Sequence, residues 1–299
     1  MIRPGHTLFY RRLASPLHAT RASVGAIWAS ALIAAALLLE HPLVLATLAL
    51  AIVLAGACSG IGSQLLRSLR MAVIVALPIV VVNVLVSRDG LTVFARIGDL
   101  GPFGDGELTI EALVYGAVIA LKVAVVMLAT TIASLTVDPD ELLRSLRRLS
   151  FRSALTASLA TRMIPVLAKD ASRLAEAQRT RPGAAADPTV RERVRLLSAI
   201  VGSSLDRAMD VAATLELRGF ATATRAPRRP LPWSRHDLAF AGSALLLVVV
   251  AALARLDGTA SFDAYPEIHA AGAGATAWLC VALCAIVLFA FADRRGIGT

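Results

Sequence analysis

Long uninterrupted apolar runs constrain the fold of this chain more than any other feature. Several reach about 20 residues, which at about 1.5 Å per residue of helix is enough to cross a hydrocarbon core of about 30 Å. Apolar and polar residues do not alternate within the runs, so the runs predict helical spans rather than barrel strands. We place six spans, at residues 24–39, 43–58, 70–87, 110–135, 237–254 and 273–291. The expected fold class is therefore an all-α polytopic membrane protein.

Charges in the loops predict how these spans are oriented. The N-terminal arm, the link before the third span with Arg67 and Arg70, and the C-terminus are rich in arginine. Residues 88–108 and 255–269 instead balance a few arginines with aspartate and glutamate. Because arginine and lysine concentrate in cytoplasmic loops, the first group is expected inside and the second outside. This predicts a multi-pass protein of the plasma membrane with both termini in the cytoplasm.

The excess positive charge is concentrated in one segment. The chain carries a net charge of +9, and residues 138–236 alone contain 18 basic and 10 acidic residues, a net charge of +8. We divide the chain into an N-terminal cytoplasmic arm (1–23), N-terminal transmembrane helices (24–137), a cytoplasmic region (138–235) and C-terminal transmembrane helices (236–299). Charge alone would also suit a loop that lies against anionic lipid headgroups, so it does not identify a function.

Helical periodicity divides the cytoplasmic region into two long amphipathic helices. Apolar residues recur at steps of three and four from Leu155 to Leu174, and again from Val190 to Leu215 after the break "RPGAAADP". A shorter amphipathic segment, 138–149, precedes them. The long helices are too polar to span a bilayer and longer than ordinary connections. We expect their apolar stripes to pack against each other and against a membrane partner.

Both long helices are predicted to end on an arginine that is followed by a helix stop. The stretch "AEAQRTRPG" places Arg181 before Pro182, and "TLELRGFAT" places Arg218 before Gly219. An arginine in a last helical turn complements the helix dipole, which is one explanation for its presence. The other is that a guanidinium at a protruding helix end donates to a carboxylate-lined groove in a partner protein.

Several stretches carry a family resemblance. They are "SPLHATRAS", "HPLVL", "TVDPDELLRSLRRL", "ATRMIPVLAKDASRLAEAQRTRPG" and "AATLELRGF". In this order they resemble the transmembrane T component of energy-coupling factor transporters, a family that includes the T component of cobalt and nickel importers. The resemblance covers most of the chain, is most specific from Arg162 to Arg218, and is weakest in the last two spans. The N-terminal stretch departs from the family's Asp-Pro-Arg-x-Lys pattern, with residues 19–23 in its place.

The resemblance implies a non-catalytic scaffold that joins a membrane S component, which binds the substrate, to two cytoplasmic ABC ATPases. ATP and magnesium would be bound by the ATPases, and this chain would hold no cofactor or metal. Each long helix would be a coupling helix that ends in an Ala-Arg-Gly-like motif and docks into an ATPase groove. In the first helix the matching positions are Thr180, Arg181 and Pro182, and Arg179 could share their role. In the second helix they are Leu217, Arg218 and Gly219. Only the arginine of the motif is retained in both helices. The substrate, a vitamin or a metal ion, stays open.

Two other functions compete with this interpretation. A stand-alone secondary transporter would need ionisable groups near the middle of the membrane, and only Lys122 fits. A membrane-embedded transferase would need an acidic metal site, to which Asp138 and Asp140 would contribute half. Cys280 and Cys284 lie one turn apart in the last span and are expected to pack rather than react. The basic region lacks interleaved aromatic residues and a phosphate-binding loop, which argues against binding of nucleic acid and of ATP by this chain.

Overall fold

The computed structural model describes residues 13–86, 92–99, 105–146, 151–180, 190–219, 232–263, 269–270 and 272–292. These residues form two compact units. Residues 1–139 and 232–299 make up a membrane unit, and residues 140–231 make up a second unit. The helices are α1 (Pro16–Ala19), α2 (Ala22–Leu38), α3 (Pro42–Cys58), α4 (Gly62–Val86), α5 (Ile110–Thr136), α6 (Pro139–Leu146), α7 (Phe151–Arg179), α8 (Val190–Leu217), α9 (Arg235–Leu256) and α10 (Ala273–Phe289).

The core of the membrane unit lies where α2, α3, α5, α9 and α10 meet. Three aromatic rings mark its centre, because the ring centroid of Trp28 is 5.4 Å from that of Phe240 and 5.9 Å from that of Phe291, both edge to face. Phe240 and Phe291 also meet edge to face, at 5.1 Å. This arrangement sets the positive ring edge of one residue against the negative face of the next.

Helices α4 and α5 pack closely along their length. A Cβ added at Gly116 of α5 would lie 3.2 Å from the Cα atom of Val80 and 3.0 Å from the Cβ atom of Asn83, so glycine permits this approach. A hydrogen bond of 2.7 Å joins the hydroxyls of Ser68 and Thr131 across the same pair of helices. Small residues and interhelical hydrogen bonds are the usual means by which membrane helices associate.

The helical membrane fold predicted from the sequence is confirmed. Among the described helices, α4, α5 and α9 are long and apolar enough to cross a membrane. The other three apolar helices, α2, α3 and α10, have 17 residues each. A 17-residue helix extends about 26 Å, slightly less than a hydrocarbon core of about 30 Å. Six complete crossings and cytoplasmic termini therefore stay predictions.

One boundary from the sequence analysis is wrong. Arg67 and Arg70 lie inside α4, which begins at Gly62, rather than in a link before the third span. The apolar run begins only after these arginines, so hydropathy placed the start of the helix too late. A helix can extend past the hydrocarbon region, where its basic side chains reach the polar headgroups.

Two short antiparallel hairpins occupy segments for which the sequence predicts loops. Strand β1 (Val93–Asp99) pairs with β2 (Asp105–Thr109), and β3 (Phe262–Asp263) pairs with β4 (His269–Ala270). The first pairing has two register shifts, which interrupt the alternation that would identify strands in a sequence. At its base, the Thr109 hydroxyl accepts a hydrogen bond from the Ala112 N–H and caps α5.

The second unit contains the two long helices α7 and α8. They have 29 and 28 residues, close to the lengths that the sequence periodicity predicts. Arg207 of α8 donates to a carboxylate oxygen of Asp170 in α7 at 3.0 Å. Arg162 of α7 forms a longer ion pair, 3.5 Å, with Asp140 of α6. Polar contacts therefore contribute to holding the helices of this unit together.

Candidate coupling site

The end of α8 is the better described of the two predicted coupling ends. The Arg218 N–H donates to the Thr214 carbonyl at 3.2 Å, and the Gly219 N–H donates to the Glu216 carbonyl at 2.9 Å. Gly219 has φ +71°, a left-handed conformation that residues with a Cβ rarely adopt. The helix stop predicted at Gly219 is confirmed, and it takes the form of a left-handed cap. Arg218 lies between Leu217, the last residue of α8, and this cap.

The residues before this cap are open to solvent within the chain. The Leu217 side chain is 90% exposed, and the Arg218 side chain is exposed as well. An exposed leucine and an exposed guanidinium thus stand together at a closed helix end. Such a pair can provide an apolar contact and the five N–H donors of a guanidinium to a groove in another protein.

The end of α7 is described only in part. The Thr180 N–H donates to the Glu176 carbonyl and its hydroxyl donates to the Ala177 carbonyl, each at 3.1 Å, so the last turn of α7 is closed. Arg179 is the last residue of the helix. The Arg179 side chain and all of Arg181 and Pro182 lie outside the described residues.

An exposed apolar stripe runs along α8. It consists of large side chains that are 58 to 77% exposed, at spacings of three or four residues: Val190, Val194, Leu197, Val201, Leu205 and Met209. The half-buried side chains of α8 recur at spacings of three or four residues and include Arg207, which contacts α7: Ile200, Ser204, Arg207, Val211 and Leu215. Packing against the other long helix therefore does not cover Val201 and Leu205, and packing of this part of the stripe against a membrane partner stays a prediction. That part of the stripe has no cover within the described chain.

Two N-terminal stretches that carried the resemblance act as helix starts. Ser15 caps α1, and its hydroxyl lies 2.7 Å from His18 Nδ1 in a buried pair. His41 caps α3, because its Nδ1 accepts a hydrogen bond from the Leu43 N–H at 3.3 Å. Burial lowers the pKa of His41, which favours the neutral ring that this cap requires.

The residues that the competing functions need do not assemble into a site in the described part of the chain. No group of three or more histidine, cysteine or acidic side chains is placed to hold a metal ion there. Asp140 pairs with Arg162 instead. Cys280 and Cys284 are free and half-buried, and Lys122 is half-buried on α5.

One polar cluster was missed by the sequence analysis. Asp237 is 2% exposed and lies in the first turn of α9, where it forms a reciprocal capping box with Ser234. It also forms an ion pair with Arg21, more than two hundred residues earlier in the chain. The Ser-x-x-Asp spacing before an apolar run was the available signal for the cap. No local pattern indicates the contact with Arg21.

Comparison with known proteins decides the family. The sequence profile of the cobalt transport protein family matches residues 14–228, more than half of the chain. The chain belongs to the cobalt transport protein family. The matched range includes both long helices and their predicted coupling ends, whereas α9 and α10 lie beyond it.

Individual relatives agree with this assignment. The energy-coupling factor transporter transmembrane protein EcfT of Bacillus subtilis is 29% identical over 206 residues, which are 64% of this chain and 74% of that protein. EcfT of Macrococcus caseolyticus is 29% identical over 150 residues, 45% of this chain and 57% of that protein. A putative ABC transporter ATP-binding protein of Bifidobacterium longum, BL0043, is 29% identical over 198 residues, 62% of this chain and 25% of that protein. The chain is thus a T component of the energy-coupling factor type.

Proposed function

We propose that this T component couples ATP hydrolysis by two cytoplasmic ABC ATPases to uptake of a vitamin or metal ion by a membrane S component. The observation that carries the proposal is the closed, exposed end of α8, with Leu217 and Arg218 before the left-handed Gly219. ATP and magnesium would be held by the ATPases, and this chain would act without catalytic groups of its own. One of its relatives is named as an ATP-binding protein of an ABC transporter, which supports partners of that class.

Arg218 is the principal ATPase contact in this proposal. Its helix is capped by a glycine whose N–H donates to a carbonyl of the last turn, and the Arg218 guanidinium projects from this end. At the other end, Pro182 has no N–H to donate and disfavours helical geometry at the preceding Arg181. We therefore assign Arg181, with Thr180 and Arg179, the weaker second contact.

The exposed stripe of α8 is proposed as the surface that receives the S component. Its side chains are large and aliphatic, yet arginines and aspartates occupy the rest of the same helix, so α8 is too polar to be surrounded by lipid. A partner with a complementary apolar face would remove this stripe from water, which provides a favourable free energy of association.

Co-purification with the ATPases tests the proposal. Arg218→Ala should weaken ATPase association by about thirtyfold or more, because a buried charged contact typically contributes about 2 to 5 kcal/mol. Arg195→Ala is the matched control, since it removes an exposed arginine from the same helix, away from its end. Retention of the ATPases at the wild-type ratio by Arg218→Ala would overturn the proposal. Transport of a solute by the purified chain alone would favour a secondary transporter instead.

Cysteine labelling tests the proposed orientation of the protein. In a version without native cysteines, Asp257→Cys at the exposed end of α9 should react with an impermeant reagent outside intact cells. Ala185→Cys, in the segment between the two long helices, should react only after the cells are opened. Labelling of position 185 from outside would contradict the cytoplasmic assignment of residues 138–235.

A further inference from the structure

The chain passes between its two units twice, and one short segment contacts both passages. The chain leaves the membrane unit after Pro139 and returns to it at Pro232. Residues 20–25, where α2 begins, touch the membrane-unit residues next to each of these points. We call residues 20–25 the clamp segment.

At the return point, the clamp segment binds the chain through Arg21. The Arg21 backbone N–H donates to Asp237 Oδ1 at 2.9 Å, and its Nε lies 3.3 Å from Asp237 Oδ2. The Arg21 terminal nitrogen donates to the Pro232 carbonyl at 2.8 Å, and the guanidinium carbon lies 5.5 Å from the centre of the Trp233 ring. Arg21 therefore contacts a backbone carbonyl, an aromatic ring and a buried carboxylate in the segment where the chain re-enters the membrane unit.

The carboxylate in this contact is fixed from several sides. Asp237 Oδ2 also accepts a hydrogen bond from the Ser234 N–H at 3.0 Å, and the Asp237 N–H donates to the Ser234 hydroxyl at 3.1 Å. Asp237 belongs to the first turn of α9, where a helix favours negative charge. The returning chain is thus bound at the point where it becomes α9.

At the departure point, the clamp segment packs through Gly25. A Cβ placed on Gly25 would lie 3.4 Å from Val137 Cγ2 and 3.7 Å from the Thr20 hydroxyl oxygen. Val137 directly follows α5, and its N–H donates to the Ala133 carbonyl at 2.9 Å. Val137 therefore lies within van der Waals reach of a side chain at position 25 of α2, two residues before the chain leaves the membrane unit.

We propose that the clamp segment fixes both passages, so that movement of the coupling helices is delivered to the membrane helices instead of being absorbed where the chain crosses between units. Segments that absorb such movements are hinges, whose backbone torsions change. Residues held through an N–H, a carbonyl and a buried side chain are poor hinges. Arg21 and Gly25 are therefore positioning residues for coupling, an inference that rests on the proposed function.

The test measures nucleotide-driven movement in the complex of this chain with its ATPase subunits, in lipid nanodiscs. Nitroxide labels at the exposed positions Ser30 of α2 and Ala213 of α8, in a cysteine-free version, report the distance between the membrane helices and a coupling helix. In the wild type, ATP with vanadate should shift this distance. In Arg21→Ala and in Gly25→Leu the shift should be lost, while the ATPases still co-purify at the wild-type ratio.

Two further variants separate positioning from general stability. Arg255→Ala breaks an ion pair of 2.6 Å with Glu40 at the opposite end of α9 and should keep the full shift. Arg21→Lys retains the positive charge beside Asp237 and should restore part of the shift. In Arg21→Ala, Asp237 keeps two backbone N–H donors, so the membrane unit should still fold.

The outcomes distinguish the two proposals. An unchanged shift in both Arg21→Ala and Gly25→Leu overturns the clamp while leaving the proposed function intact. Loss of the ATPases from these two variants also overturns it, because the clamp is assigned to steps after ATPase docking. A wild-type complex whose distance does not respond to nucleotide overturns the proposed function, and the clamp with it.

Discussion

Leu128 and Ile132 of α5 are completely buried, whereas Leu205 and Met209 of α8 are more than 60% exposed, although each pair is spaced four residues apart on a long helix. The membrane unit covers the first pair with its own helices. The unit of residues 140–231 leaves the second pair uncovered within the described chain. The same spacing thus belongs to a buried core in one region and to an exposed stripe, which we propose as an interface, in the other.

This difference has a physical basis in how many helices each region can pack together. The membrane unit buries side chains from six apolar helices around one cluster. The second unit has two long helices, and two helices can cover only one side of each other. The remaining apolar surface is the one that we propose binds the S component.

The largest expected effect concerns the aromatic centre of the membrane unit. Trp28→Ala removes a ring that is 1% exposed and contacts both Phe240 and Phe291, so it should destabilise the unit by about 3 to 5 kcal/mol. The yield and the melting temperature in detergent measure this. Wild-type stability would show that the core of the membrane unit is not self-contained.

The coupling ends provide the next test. The double variant Arg181→Ala/Arg218→Ala should leave a folded membrane protein without bound ATPases, with Arg218 accounting for most of the loss of about 2 to 5 kcal/mol. Co-purification of the ATPases with each single variant and with the double variant measures the two contributions. An equal loss from the two single variants would contradict the assigned order.

A charge in the exposed stripe should affect assembly and leave folding unchanged. Leu205→Asp should change the stability of the isolated chain by about 0.5 kcal/mol or less, because the side chain is exposed. It should weaken binding of the S component by about 1 to 3 kcal/mol, since the carboxylate would be buried on binding. Complex yield in detergent and in nanodiscs reports the second effect. Asp210→Ala, which removes a charge from an exposed position of the same helix, is the control.

Destabilisation of the isolated chain by Leu205→Asp would show that the stripe is buried within the chain, as the apolar residues of α5 are. An unchanged complex yield would indicate that lipid headgroups, and not the S component, cover the stripe.

The ion pair between the two long helices should contribute little to the stability of their unit. Arg207→Ala removes the hydrogen bond of 3.0 Å to Asp170, but both side chains are partly exposed, so we expect a loss of about 1 kcal/mol or less. Hydrogen exchange of the α7 and α8 amides would report it as faster local opening. Global unfolding of the chain by Arg207→Ala would contradict this small expected loss.

The smallest expected effect is a pH dependence from His41. The pKa of His41 in the folded protein is lowered by burial, so the folded state binds fewer protons than the unfolded state, whose histidine has a pKa of about 6.5. The contribution of His41 to stability is therefore complete above about pH 6.5 and is lost as the pH falls toward the lowered folded pKa.

His41→Asn keeps an acceptor for the Leu43 N–H and does not titrate, so it serves as the matched variant for this effect. The fall in melting temperature between about pH 7.5 and pH 5.5 should be smaller in this variant than in the wild type. Identical pH profiles of the two proteins would show that protonation of His41 does not affect the stability of the membrane unit.

Much of the fold could be predicted because it follows from local patterns. The apolar runs locate all six apolar helices, and steps of three and four locate α7 and α8. The glycine after Arg218 predicts a left-handed cap, which the φ of +71° confirms. Arg67 and Arg70 were misplaced because a helix continues beyond its apolar part, which hydropathy does not detect.

The amino-acid sequence alone is therefore sufficient to predict the helical membrane fold, the family and the arginine at the end of α8, whereas the arginine predicted for the end of the other long helix, Arg181, lies outside the described residues. Those properties depend on neighbours within a few turns and on motifs in chain order. The three-dimensional packing was needed to show that Val201 and Leu205 are exposed, that Arg21 binds Asp237 and that Gly25 lies beside Val137. Exposure depends on which helices cover a face, and the Arg21 contact joins residues 216 positions apart, so neither is encoded in local periodicity.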